Sequence, residues 1–363
     1  MRIAMVNLTG GGLSGGYRRY LAEMMPRLQR APGVEALEVF LPRTAPVAQH
    51  VPIRRFDDAR SLDTELAAVR PDVLFVPTAR YIQVRGVPTV IMVHNMEPLV
   101  RPWQGNSCKE SLKNWARAWE ARRACRCSRR VIAVSEAVRD FLVKRWGLPP
   151  EKVAVIPHGA NSQPPAEPRC PPSLASELTG GFLFTAGSLR PARGLDDLAD
   201  ALRRIESPLP PLVIAGSPDP GSAAWAAKMR RRFEATRQRV IWAGQLGAWE
   251  MTWCYQQASA FVMTSRVEAC PITVLESLNA GAVCISTDTA PMPEFYGEAA
   301  LYYKAGDGPG LASLLQKVVA DPRAFAPHRF LACRRSRAFT WESTALRTLE
   351  QLEAACHADR NRQ

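Results

Sequence analysis

No stretch of this 363-residue sequence approaches the ~20 consecutive apolar residues that a membrane-spanning helix needs, which excludes a spanning topology. Paired cysteines are missing too. The nine cysteines are scattered with no Cys-x-x-Cys spacing, and Cys125 and Cys127 stand two apart with no histidine beside them. That excludes a zinc knuckle, makes a structural metal an unexpected feature and leaves reduced thiols as the expected state. Acidic side chains are few: 34 Asp and Glu stand against 47 Lys and Arg, a formal net charge of +13. Nucleic acid would answer to such a charge, but no nucleic-acid-binding motif accompanies it, so no such partner is expected. With 47% apolar and 22% charged residues the chain is not disordered. The opening MRIAMVN reads as a buried strand with no room for a signal peptide, and a cytoplasmic location is expected.

The positive excess is concentrated. Residues 101–130 carry nine Lys or Arg against Glu110 and Glu120. In helical projection Leu112, Trp115 and Trp119 fall together, with Lys109, Lys113 and Arg117 in a separate stripe, while Arg122 and Arg126 rotate under the tryptophans. An aromatic face beside a basic one suits a helix lying on an anionic membrane surface. A solvated basic helix with its tryptophans in the core fits the same pattern.

Short β-prone runs alternate with helix-like stretches. In the first half they read 2–7, 36–41, 72–77, 89–94, 130–135 and 152–157; in the second, 181–187, 211–216, 239–244, 260–265 and 282–286. They are apolar on both faces, which indicates parallel strands covered on both sides. Stretches such as 17–30, 195–205, 223–237 and 248–259 supply the crossover helices. A passage holding Pro164, Pro165, Pro168, Pro171 and Pro172 separates the halves. The expected architecture is α/β, two Rossmann-like doubly wound parallel-sheet domains facing a cleft. Residues 1–163 form one domain and 164–340 the other, with a terminal helical segment, 341–363. In such sheets ligands bind beyond the carboxyl ends of the strands, where unusual residues should gather.

They do gather there. Between the runs 260–264 and 282–286, Pro271 stands where a first helical residue lacks its N–H, and Gly281 where a helix ends in a left-handed turn. Glu268 lies in the loop ahead of that helix and Glu276 inside it. A helix start suits a phosphate, and a carboxylate beside it suits sugar hydroxyls. After the first run, Gly10, Gly12 and Gly15 formally satisfy G-x-G-x-x-G, but the second run ends in Leu41-Pro42-Arg43, with no acid for a ribose 2′-hydroxyl.

The segment Ser265-Arg-Val-Glu268-Ala-Cys-Pro271 through Leu275-Glu276 to Gly281 resembles the donor-site signature of retaining family 4 glycosyltransferases (glycosyl transferases group 1) of the GT-B fold. The resemblance spans nearly the whole chain and is strongest over 181–300. It implies that Glu268 binds donor-sugar hydroxyls, that Glu276 binds the ribose, and that amides of Ile272, Thr273 and Val274 cradle phosphate. It places the loop Gly12, Gly15 and Gly16 near the diphosphate or acceptor, below a helix beginning near Tyr17. His94 falls near the transferred sugar, and Gln245 and Leu246 where the base packs. His158 would shape the hinge, and Pro291–Glu294 would be a loop lining the cleft. The chain departs from the family at Gly187-Ser188-Leu189-Arg190: Ser188 stands at the usual Arg position and Arg193 at the usual Lys. Arg190 and Arg193 are therefore the expected phosphate cations, although Arg is not a neutral swap for Lys.

The implied activity is retaining, metal-independent transfer of a hexosyl group from a UDP- or GDP-sugar, with no cofactor. The acceptor would be a glycan or lipid-linked glycan in bacterial surface polysaccharide or lipopolysaccharide synthesis. His94, Arg190, Arg193 and Glu268 are the candidates at the reacting centre. The alternatives are an NAD(P)-dependent oxidoreductase using the Gly10–Gly16 loop, a sugar-nucleotide epimerase, and a non-catalytic membrane-associated protein of this fold.

Overall fold

The computed structural model describes residues 1–8, 15–43, 53–100, 108–160, 167–178, 180–219 and 221–360. The chain divides into two compact units: Met1–Gly159 with Trp341–Gln363, and Ala160–Thr340. Pro164 and Pro165 lie outside the described residues.

The first unit holds β1 (Arg2–Val6), β2 (Ala36–Pro42), β3 (Ile53–Phe56), β4 (Val73–Val76), β5 (Thr89–Val93), β6 (Arg130–Ala133) and β7 (Val153–Val155), in the order β3-β2-β1-β4-β5-β6-β7. The second holds β8 (Leu183–Ala186), β9 (Leu212–Ala215), β10 (Val240–Gly244), β11 (Ala260–Met263), β12 (Cys284–Thr287) and β13 (Ala300–Tyr303), in the order β10-β9-β8-β11-β12-β13. Every pairing is parallel. In each sheet the order runs backward through three strands and then jumps, between β1 and β4 and between β8 and β11. Adjacent crossovers diverge at these switch points and leave a crevice beyond the strand ends.

The central strands are buried on both faces, as their uninterrupted apolar runs require: β4, β5, β8, β9 and β11 are buried throughout. Two strands escaped the sequence reading, β3 and β13, and both are sheet edges. In β3, Arg54 and Arg55 interrupt the apolar pattern; Arg54 pairs with Glu38 at 3.1 Å and Glu65 at 3.0 Å, and Arg55 donates to the carbonyl of Pro42. An edge needs only one neighbour, so polar side chains are tolerated there.

The helix Trp341–Arg360 belongs to the first unit, where it packs on the helix Gly15–Gln29. Trp341 is buried against the Tyr20 ring, Arg27 pairs with Glu342 at 2.7 Å, and the Thr344 hydroxyl donates to the Pro157 carbonyl. The helix after the glycine loop is described from Gly15, so Tyr17 falls within its first described turn. One local expectation is corrected. The Pro291–Glu294 segment is not a loop: Pro291 caps the short helix Met292–Tyr296.

Candidate active site

In the second unit the switch point carries a charged pair. β8 runs into Gly187, whose φ of 137° suits glycine alone. A Cβ there would lie 2.4–2.7 Å from the guanidinium atoms of Arg193, so the missing side chain is what lets that group lie across the strand end. Arg193 closes the single turn Pro191–Arg193, and Gly194 follows at a φ of 64°. The Arg193 Nη1 atom stands 2.9 Å from Oε1 of Glu268 and 3.3 Å from Oγ of Ser265. Side-chain exposure is only 14% for Arg193 and 10% for Glu268, so the pair is held where screening by water is weak. It is a charge contact rather than an aligned hydrogen bond: Nε of Arg193 and Oε1 of Glu268 have no hydrogen-bond partner among the described residues. Such buried, unanswered polar atoms are costly unless something else binds them.

The two loops that carry the pair are stitched together. The Thr264 hydroxyl donates to the Arg193 carbonyl at 2.7 Å, and the Arg266 amide donates to the Ala192 carbonyl at 2.9 Å. The Arg266 guanidinium also reaches the buried carboxylate of Asp197 at 2.6 Å. Between these loops lies a small recess lined by Thr185, Gly187, Ser188, Arg193, Met263 and Ser265 among others. Ser188 therefore lines the recess, whereas Arg190 turns to Asp219, at 3.7 Å.

The helix Ile272–Asn279 begins one residue later than expected, with Pro271 as its cap residue and no side chain capping it. The Val274 amide donates to the Pro271 carbonyl at 3.0 Å, so of the three amides assigned to phosphate it is already engaged. Ile272 and Thr273 occupy the positions whose amides have no acceptor within a helix. The Thr273 hydroxyl is also buried without a partner among the described residues. The helix ends as its glycine predicts: Gly281 has a φ of 67°, its amide donates to the Leu278 carbonyl, and the Ala282 amide donates to the Ser277 carbonyl. Glu276 is half-buried and accepts from the Tyr255 hydroxyl at 3.4 Å. Gln245 and Leu246 follow β10 at the sheet edge, Gln245 exposed and Leu246 half-buried, outside the recess.

In the first unit His94 follows β5 directly. Its Nδ1 is buried with no partner among the described residues, and its ring packs against Tyr17 at 4.7 Å. Behind it stands His158, 6.4 Å away, itself stacked on Trp341. Burial pushes the His94 imidazole down to about 4; burial, then the charge of His94, pushes His158 to about 3. Both are neutral at neutral pH. Gly12 lies outside the described residues.

Glycosyltransferase Family 4 matches residues 15–163, and Glycosyl transferases group 1 matches residues 181–321. The chain belongs to the family 4 and group 1 glycosyltransferases. Its fold is GT-B, as solved structures also show: HepE of Anabaena, solved with UDP-glucose, superposes with a TM-score of 0.77 at 17% identity, covering 98% of this chain and 100% of that one. Among curated relatives, the serotype-specific mannosyltransferase WbdA of Escherichia coli is 21% identical over 310 residues, covering 79% of this chain and 37% of its own length. The chain thus spans little more than a third of that relative. A lipopolysaccharide 1,6-galactosyltransferase of Escherichia coli is 34% identical over 90 residues, 23% of this chain and 24% of that one.

For this glycosyltransferase, sequence reasoning singled out Arg190, Arg193, Glu268 and Glu276 but not the residues that hold Arg190, Arg266 and Glu276. Asp219, Asp197 and Tyr255 carried no motif signal. Tyr17 had a faint one, an aromatic residue just past a glycine loop.

The two imidazoles give a first prediction. A histidine whose folded pKa lies below its unfolded value of ~6.5 takes up a proton on unfolding, so the stability it contributes is held above that pH. It is lost as pH falls from there toward 4. The melting temperature should therefore drop between pH ~7 and ~5, and the drop should shrink in His158→Gln. Superimposable pH profiles for the two proteins would contradict this.

Proposed function

We propose that this glycosyltransferase moves a hexosyl group from a UDP- or GDP-sugar, with retention of configuration, to a glycan or lipid-linked glycan acceptor. The pathway we propose is assembly of a bacterial surface polysaccharide or lipopolysaccharide, on the cytoplasmic side. The observation that carries the reading is the Arg193–Glu268 pair: a cation and an acid 2.9 Å apart, nearly buried, with unanswered polar atoms beside a recess at a switch point. A sugar diphosphate answers both, its phosphate taking the guanidinium and its hydroxyls donating to the carboxylate. The relatives' names, a mannosyltransferase and a lipopolysaccharide galactosyltransferase, support the substrate class, and HepE solved with UDP-glucose supports the donor.

In this reading Arg193 faces the departing diphosphate, with Arg190 set farther back against Asp219. The amides of Ile272 and Thr273 hold phosphate oxygens, Glu276 the ribose, and the backbone at Gln245 and Leu246 the base. As the glycosidic bond breaks, the β-phosphate gains charge, and fixed donors aimed at that charge act chiefly on the transition state. The acceptor hydroxyl attacks from the face the diphosphate leaves, its proton passing to a leaving phosphate oxygen. Neutral His94, which the family resemblance assigns to the transferred sugar, can hydrogen-bond but brings no charge. Arginines and the helix start supply the counter-charge in this scheme, so turnover should survive EDTA.

A thermal-shift screen against UDP-, GDP-, ADP- and dTDP-sugars tests the reading. One donor at about a hundred times its Kd should raise the melting temperature by about 2–4 °C. Glu268→Gln should keep the response to the bare nucleoside diphosphate and lose the increment due to the sugar. If no nucleotide sugar stabilises the wild-type protein, the proposal fails.

A further inference from the structure

The helix Cys108–Cys127 is attached to its unit by small and polar side chains: Ser111, Asn114, Ala121, Ala124 and Cys125 are the buried ones. Its largest apolar side chains point the other way. Leu112 is 63% exposed, Trp115 55% and Trp119 60%. A surface helix ordinarily buries its apolar stripe, so this one is inverted. The spacing of three and four residues puts the three side chains on one continuous stripe.

Basic groups bracket the stripe along the helix axis, Lys109 before it and Arg122, Arg123 and Arg126 after it. The side chains of Lys109, Arg122 and Arg126 make no ion pair among the described residues. Glu110 is shared by Lys113 at 3.8 Å and Arg117 at 2.8 Å, and Glu120 is taken by Arg80. Arg123 lies over the Tyr81 ring at 4.0 Å and 5.9 Å from the Trp119 ring, so its charge sits at the edge of the aromatic patch. The acids are thus answered from within, and what faces outward is aromatic and positive.

We propose that this face docks on an anionic lipid bilayer, Trp115, Trp119 and Leu112 entering the headgroup boundary while Lys109, Arg122 and Arg126 meet lipid phosphates. Charge complementarity selects this occupant: a second copy would bring like charges together, and a polyanion without an apolar phase leaves the tryptophans in water. No described helix is long and apolar enough to cross a membrane, so the contact is peripheral. The inference deepens the proposed function by giving the acceptor a lipid anchor, and it rests on that reading for the acceptor alone.

Co-sedimentation of the whole chain with vesicles of phosphatidylcholine, alone or mixed with phosphatidylglycerol, tests it. Recovery should be at least about tenfold greater with the anionic vesicles and should fall as salt rises. The double variant Trp115→Ser, Trp119→Ser should lose that recovery while keeping its melting temperature, as exposed positions allow; Arg122→Gln with Arg126→Gln should lose the anionic preference. Equal wild-type recovery from both vesicles overturns the proposal. So does undiminished binding of the tryptophan variant, or self-association that this variant abolishes without any vesicle recovery. Failure of the transfer reading would show instead as no melting response to any nucleotide sugar, with vesicle binding intact.

Discussion

Arg193→Ala is expected to lower kcat for sugar transfer by about 10²–10³-fold, the usual loss when one preorganised donor to developing charge is removed. The guanidinium lies across the end of β8, held by Gly187 beneath it, Ser265 at 3.3 Å and Glu268 at 2.9 Å, so it is in place before any ligand arrives. That preorganisation is what makes the loss large. Arg193→Lys keeps the charge without the fork, and a loss of about tenfold is expected. A confounding effect is built into the site. Removing Arg193 strands a carboxylate that is 10% exposed, and breaking a buried pair in this way costs about 3–5 kcal/mol. The double variant Arg193→Ala, Glu268→Gln removes the stranded charge. It should recover most of the melting temperature and none of the turnover. Steady-state kinetics on all three variants decide the matter; Arg193→Ala turning over within about threefold of wild type would mean the diphosphate is held elsewhere, with Arg193 structural.

Much of this architecture was legible because a central parallel strand must be apolar on both faces, and the runs at β1, β5, β8 and β11 have no other use. The edges β3 and β13 were not legible, since one neighbour and partial solvent contact leave their composition loosely constrained. At the site the sequence displayed what is local: the interval from Glu268 to Glu276, the cap region at Pro271, the left-handed Gly281. It could not display the Arg193–Glu268 pair, which joins loops 75 positions apart through packing of β8 beside β11. The group of Tyr17, Tyr20, His94, His158 and Trp341 is gathered from four separate segments. In the helix Cys108–Cys127, periodicity showed which side chains share a stripe but not which stripe meets the core. The small residues at 111, 121 and 124 held that answer, because a helix can come close to its neighbours on its narrow side.

Gly194→Ala should destabilise the second unit by about 3–5 kcal/mol and take the transfer activity with it. Two effects add. Gly194 has a φ of 64°, where an L residue loses about 1–2 kcal/mol. A Cβ there would also stand 2.1 Å from the Thr264 carbonyl oxygen, a backbone atom that cannot swing aside as a side chain would. Relief requires the Arg193 loop and the Thr264–Glu268 loop to separate. That breaks the Thr264 hydroxyl's bond to the Arg193 carbonyl and widens the gap between the charged partners. Gly244→Ala isolates the first effect. Its φ is 68°, nearly the same, yet a Cβ there meets nothing within 4 Å. It should cost about 1–2 kcal/mol. Comparing the two variants' denaturation midpoints separates backbone strain from the close approach of the loops. Equal midpoints would mean that the contact between the loops is soft, and that the position of Arg193 is not fixed by the glycine beside it.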